Sequence, residues 1–211
     1  MKITGRILGI DGVIRIDDTE LTAELAYNLG RTGVYVLMEW THKQRILVAK
    51  DTRISGDMLE SVLVAGILSV GAEDIILGIV PMPAVAYLTR EYNAYVVVMI
   101  CASYNPIEYV GSKFFDWWWY KLSDTLEDES QTVIECGFGG VPSPVGEDVV
   151  IVYREESELN EYIEYDKSTI KTAFKGLKVE LDCANSTEYK VAVKDFRSLG
   201  ARVYVINVKA H

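Results

Sequence analysis

Residues 45–80 read "RILVAKDTRISGDMLESVLVAGILSVGAEDIILGIV", and this segment decides the fold. "RILVAK" (45–50) is a short apolar run that reads as a strand, and it leads into the loop "DTRISG" (51–56). Ser55 stands where a helix N-cap belongs. Met58, Leu59, Val62, Leu63 and Gly66 then recur at helical spacing, and "DIILGIV" (74–80) is a second strand. Strands alternating with helical periods are the signature of an α/β fold with a largely parallel sheet.

The pattern extends in both directions. Upstream, "GRILGID" (5–11) reads as a first strand, and Thr22 caps a helix carrying Leu25, Leu29, Gly33, Val36 and Leu37. Downstream, Pro81-Met82-Pro83 opens a short helix with Pro83 in its first turn. "AYVVVMI" (94–100) lacks alternation, so it is a strand covered on both faces. "GSKFFDWWWYKL" (111–122) suggests two short strands around a turn, and "SDTLEDESQTVIE" (123–135) a solvated helix.

The Gly- and Pro-dense "GFGGVPSPVGED" (137–148) marks a loop or boundary. A helical segment follows from about Ser157 to Thr172. "LKVELDC", the turn "ANST", a helix to Leu199 and "ARVYVIN" then make one βαβ unit. The expected architecture is a three-layer α/β/α domain with a mixed, largely parallel sheet over 1–150. A linker and helix occupy 151–174, and an incomplete βαβ unit of a second, similar domain occupies 175–211. Two strands and one helix cannot bury their own apolar surface. Val179, Leu181, Val203, Val205 and Ile206 therefore need a partner, either the first domain or another subunit.

The 211 residues are 49% hydrophobic and 25% charged, an ordinary globular composition. Twenty-one basic against 31 acidic residues give a net charge of −10. That balance, without clustered Lys and Arg, argues against a nucleic-acid partner. The longest apolar run is too short to span a bilayer, so no membrane partner is expected. Cys101, Cys136 and Cys183 are widely spaced and point to free thiols in the cytoplasm. With only His42 and His211, a zinc site or a histidine-based triad is not expected.

At the end of the strand 94–100 lies "ICASYNP" (100–106), where a small residue, a serine and an Asn-Pro turn form a place for a nucleophile. "DTRISGDMLESVLVAGILSVGAEDIILGIVPMPAVAYL", "ASYNP" and "GSKFF" together resemble the N-terminal domain of the α-D-phosphohexomutases, nearest to the bacterial phosphoglucosamine mutases. The resemblance implies an isomerase that works as an intramolecular phosphotransferase in carbohydrate metabolism. It has four domains around a cleft: a phosphoserine in the first, a magnesium held by three aspartates in the second, and sugar and phosphate recognition in the others.

Carried over position by position, the resemblance implies that Ser103 is the phosphoserine and Lys113 the lysine that aids proton transfer. Asn105, Arg53, Arg15 and Tyr104 support the phosphoserine loop. Several positions depart from the family pattern. Tyr104 replaces a histidine, Tyr109-Val110-Gly111 replaces an Asp-Asn-Gly turn, and Ala49-Lys50 replaces Gly-Arg. Arg15 is displaced by one position, which on a strand turns its side chain away from the site. The magnesium loop D-G-D-x-D-R falls beyond residue 211, and Ser103 is the only family ligand position present. No cofactor is therefore expected in this chain, although the family uses magnesium.

Cys101, with no histidine beside it, is expected to be a small buried residue rather than a nucleophile. Successive strand side chains point to opposite faces, so Trp117, Trp118 and Trp119 cannot all face inward, and they are candidates for an interface. The first expectation is a truncated, degenerate mutase-like protein without independent activity, acting through association with another copy or with a full-length or complementary mutase chain. A sugar phosphate is at most a weak ligand. The alternative is the phosphoserine-bearing part of a phosphosugar mutase of the glucosamine 6-phosphate/1-phosphate type, completed by another chain. The third is a folded remnant with no selected role.

Overall fold

Strands with no polar face have to be covered on both sides, and the computed structural model of the protein shows how this is done. It describes residues 13–16, 19–37, 45–120, 123–154 and 158–208. Six strands make the main sheet: β1 (Val13–Ile16), β2 (Arg45–Lys50), β3 (Glu73–Ile79), β4 (Val96–Ile100), β5 (Tyr109–Asp116) and β6 (Val152–Arg154). Their order is β1-β5-β4-β2-β3-β6. β4, β2, β3 and β6 are parallel to their neighbours in that series, while β5 runs antiparallel to both β4 and β1. The expected mixed, mostly parallel sheet is what forms.

Helices cover both faces. α1 (Ala23–Leu37), α2 (Gly56–Leu68) and α4 (Asp124–Glu135) lie on one side, where Leu29 and Leu63 share a core with Ile46 and Val48 of β2 and Val133 packs against it. α3 (Met82–Glu91) and α5 (Glu158–Thr169) lie on the other, where Leu88 and Tyr162 share a second core with Leu47 and Ala49. Alternate residues of one strand thus enter two separate cores, which is why β2 and β4 read as unbroken apolar runs. α1 and α2 cross at close range: a Cβ on Gly30 would collide with the Leu63 carbonyl, and one on Gly66 with the Tyr27 carbonyl.

A smaller parallel sheet follows, made of β7 (Lys178–Asp182) and β8 (Arg202–Ile206) with α6 (Glu188–Ser198) between them. Val179, Leu181, Val203 and Val205 are half-buried and Ile206 remains 44% exposed. This unit is tethered to the main sheet through α5. Tyr87 of α3 stacks on Tyr165 of α5 at 4.3 Å, and Val191 of α6 joins the core that holds Tyr162 and Ile163.

Several local expectations change. Thr22 caps α1 as expected, its hydroxyl accepting the Leu25 N–H at 3.2 Å. Ser55 precedes α2 but makes no side-chain cap, because its backbone is already helical (φ −65°, ψ −15°) rather than extended. Residues 111–116 belong to one strand, β5, and residues 117–120 to a turn. The turn closes when Asp116 Oδ1 accepts the Tyr120 N–H at 2.8 Å, with Lys121 and Leu122 outside the described residues. α4 is not wholly solvated, since Glu127 and Ser130 are buried. The strand expected at 5–11 and both histidines lie outside the described residues.

Candidate active site

Parallel strands present their carboxyl ends to one edge of the sheet, the usual place for ligands in open α/β folds. β2 and β4 end side by side here, and the Asp51 N–H donates to the Ile100 carbonyl at 2.9 Å. From those ends spring the 51–55 loop and the 101–108 loop.

The 101–108 loop is tightly specified. Ser103 has φ +52°, a left-handed conformation that is uncommon for a residue other than glycine. Its N–H donates to Cys101 Sγ at 3.2 Å, and the Asn105 side-chain amide donates to the Ala102 carbonyl at 2.8 Å. Arg53 holds the loop from below. Its guanidinium donates to the carbonyls of Asn105 and Pro106 at 2.7 Å, of Tyr109 at 3.0 Å and of Ser103 at 3.1 Å. Nε of the same side chain donates to Asp51 Oδ2 at 3.2 Å. With its fork so occupied, Arg53 braces the backbone and does not point at a ligand.

The antiparallel return of the chain brings up the second group. Ile100 pairs with Ser112 and Met99 with Lys113, so β5 carries Lys113 back beneath the loop. Its ammonium donates to Ser103 Oγ at 2.8 Å. Tyr104 stands fully in solvent beside them. The Cys101 thiol is pushed up by burial, and the hydrogen bond from the Ser103 N–H offsets this only in part. It stays a thiol at neutral pH and supports the loop rather than attacking anything.

A cleft of about 630 Å³ opens over Ser103, with Lys113 outside its lining. Ser103, Tyr104, Asn105 and Arg53 line one wall, and Asn185, Ser186 and Thr187, ahead of α6, line the other. The walls meet where the Thr52 hydroxyl donates to the Asn185 carbonyl at 2.7 Å.

Arg15 is elsewhere. It pairs with Val110 and shares a strand face with Val13, buried in the core under α1 and α2. Lys113 shares the opposite face with Phe115, buried in the core under α3. The tryptophans divide. Trp119 lies flat on Phe115, with ring centroids 4.6 Å apart, whereas Trp117 and Trp118 pack on each other at 3.9 Å and are 46% and 62% exposed.

Below the site, Lys50 is buried between Asp57 (2.6 Å) and Glu60 (2.8 Å). Burial opposes its charge, but the hydrogen bonds to these two carboxylates and their charges hold it above the ordinary lysine value. Asp74 of β3, without any exposed surface, is pushed up to about 8 by burial and then by the Glu60 carboxylate. Among the described residues no three His, Cys, Asp or Glu side chains are grouped to hold a metal.

Thr52 and Asn185 were not singled out from sequence. Their bond joins positions 133 apart, and no local periodicity signals it.

The family model described as phosphoglucomutase/phosphomannomutase, alpha/beta/alpha domain I, matches residues 5–135. The phosphoglucosamine mutase of Clostridium beijerinckii is 64% identical over 203 residues, and that of Clostridium acetobutylicum 63% over the same length. Each alignment covers 96% of this chain and 45% of the relative, so the chain spans under half the length of these curated relatives. Among solved structures, a phosphoglucomutase/phosphomannomutase family protein from Burkholderia thailandensis superposes with a TM-score of 0.83 at 18% identity. It covers 100% of this chain and 45% of that one. A putative phosphomannomutase from Thermus thermophilus gives 0.76 at 21% identity, covering 96% of this chain and 46% of that one. These likenesses carry the fold. The chain belongs to the phosphoglucomutase/phosphomannomutase family.

Proposed function

We propose that this family member is the phosphoserine-bearing portion of a phosphosugar mutase acting on glucosamine phosphates. The observation that carries the reading is the 2.8 Å bond from the Lys113 ammonium to Oγ of Ser103, a residue that lines the cleft. Phosphoryl transfer depends on holding the donor oxygen in place and on cations near the developing charge. The braced Ser103 turn supplies the first and Lys113 the second.

In this reading phospho-Ser103 breaks its Oγ–P bond as the phosphoryl group moves to a sugar hydroxyl. Lys113 gives a proton to the Oγ that is left, the sugar hydroxyl gives up its own proton as its O–P bond forms, and the return step runs the same proton exchange in reverse. A bisphosphate sugar then returns its other phosphoryl group to Ser103, forming a new Oγ–P bond. The described residues do not fit a complete magnesium site, so the metal and the remaining sugar contacts are proposed to come from outside them. The proposed setting is the cytoplasm, consistent with free Cys101, Cys136 and Cys183. Among the described residues no helix is long and apolar enough to cross a membrane.

Intact-mass measurement of the native chain, before and after glucose 1,6-bisphosphate, tests the reading. The measurement is repeated with the rest of a clostridial phosphoglucosamine mutase added. Phosphate is expected on Ser103 and absent from Ser103→Ala, and Lys113→Ala is expected to slow uptake about 100-fold. A chain that carries no phosphate under any of these conditions would sink the proposal.

A second reading, a chain without activity of its own that works by association, draws on one observation, the exposed Trp117–Trp118 pair. Its partner would be another copy or a complementary mutase chain. Light scattering decides this, since Trp117→Ser with Trp118→Ser should abolish assembly. Unchanged assembly in that variant removes the basis for this reading.

A further inference from the structure

Two turns with left-handed, non-glycine residues face each other across the cleft. One holds Ser103 (φ +52°), and the other holds Ala184 (φ +47°) and Asn185 (φ +53°). Such conformations cost free energy and persist only where the surroundings over-determine them. The surroundings of both turns include one tripeptide, Asp51-Thr52-Arg53. Arg53 donates to four carbonyls of the first turn and its β5 exit. Thr52 donates its hydroxyl to the Asn185 carbonyl of the second.

The tripeptide is itself fixed. The Asp51 N–H is tied to the end of β4, Asp51 Oδ1 accepts the Arg53 N–H at 3.0 Å, and Oδ2 accepts its Nε. The Ala184–Asn185 turn has supports of its own in the small sheet. The Ala184 N–H donates to Asp182 Oδ1 at 2.9 Å, and the Asn185 N–H donates to the Asn207 carbonyl at 2.7 Å. Those bonds shape the turn but do not place it relative to Ser103. The packing of α6 on α5 brings the unit alongside, and the Thr52 hydroxyl fixes the turn locally, because it reaches from the loop that braces Ser103 to the wall opposite.

We propose that Thr52 is a positioning residue: its hydroxyl bond to the Asn185 carbonyl sets the distance of the cleft wall ahead of α6 from Ser103. Arg53 and Thr52 then act as two arms of one bracket, and a displacement of either wall is felt at the other through the Asp51–Arg53 ring. The positioning role of Thr52 rests on the phosphoserine reading of Ser103. The bracket itself does not.

The experiment compares the full chain with Thr52→Val, which keeps the shape and removes the hydroxyl, and with Thr52→Ser, which restores it. Hydrogen exchange is followed on peptides 183–190 and 101–109, alongside phosphate uptake at Ser103 from glucose 1,6-bisphosphate, with and without the rest of a clostridial phosphoglucosamine mutase. Thr52→Val is expected to exchange about 5-fold faster over 183–190 and to take up phosphate more slowly, with Thr52→Ser at the parent values in both. Parent-like exchange over 183–190 in Thr52→Val overturns the bracket, as does a Thr52→Ser that behaves like Thr52→Val. Faster exchange with unchanged uptake overturns the positioning role. If the parent chain takes up no phosphate even with the rest of a clostridial phosphoglucosamine mutase added, the phosphoserine reading fails, and exchange alone decides the bracket.

Discussion

Every residue of β4 is buried, while β7 and β8 alternate exposed and half-buried positions along their length. The sequences already differ, since β4 is apolar throughout while β7 and β8 place charged or polar residues at alternate positions, and the surroundings differ to match. β4 sits between two strands and under helices on both faces, whereas β7 and β8 have one neighbour each and α6 on one side. The larger unit draws its stability from its own packing. The smaller one leans on α5, which carries it to α3 through Tyr87, Tyr162 and Tyr165. The cleft lies between a wall that is rigid by itself and a wall that is rigid by attachment.

The strongest way to break this contrast is at the α1–α2 crossing. Gly66→Val pushes a branched side chain into the Tyr27 backbone and is expected to cost about 3 kcal/mol or more in denaturant unfolding. A loss below about 1 kcal/mol would show that the two helices are free to separate. Leu47→Ala, at a position with no exposure, is expected to cost about 3 kcal/mol, against about 1 kcal/mol for the half-buried Val203→Ala. Equal losses would erase the distinction between the units.

Acidity sharpens the same contrast, because each unit hides a carboxyl. Asp195 of α6 is raised by burial and then by the charge and hydrogen bond of Asp166, with Glu188 adding to both and Lys167 opposing them. Asp74 is raised to about 8. A carboxyl whose folded value lies above its unfolded one binds more protons when folded, so stability falls as pH rises between the two values. The melting temperature should therefore fall between about pH 4 and pH 8, and Asp74→Asn should flatten the upper end of that window. A profile in Asp74→Asn that matches the parent would place the loss elsewhere. The smallest effect is expected at the turn after β5. Trp117→Ser and Trp118→Ser should each change stability by about 0.5 kcal/mol or less in the monomer, where both indoles are exposed.

Much of the larger unit was legible because burial on both faces leaves a plain mark, the unbroken runs at 45–50 and 94–100. The Ser103 loop was legible too, since a serine before Asn-Pro at a strand end is local information. What could not be read is what depends on distant partners. The four carbonyls that Arg53 holds lie 50 to 56 residues away, and Thr52 reaches Asn185 across 133. The Trp117–Trp119 run does not all face inward, as expected, but a turn rather than strand alternation is the reason. There Trp119 takes φ +68° and folds back on Phe115. Ser55 failed as a cap for a similar reason: residue type favoured it, and the entering backbone did not.

The hairpin that joins β4 to β5 has a kinetic consequence. Ser103 and Lys113 are only ten residues apart, and the loop between them closes at little entropic cost. Contacts of such short range form early and quickly, so the pair is assembled before slower long-range events bring α6 across. A newly made chain would thus carry its hydroxyl and ammonium already matched while the opposite wall was still arriving.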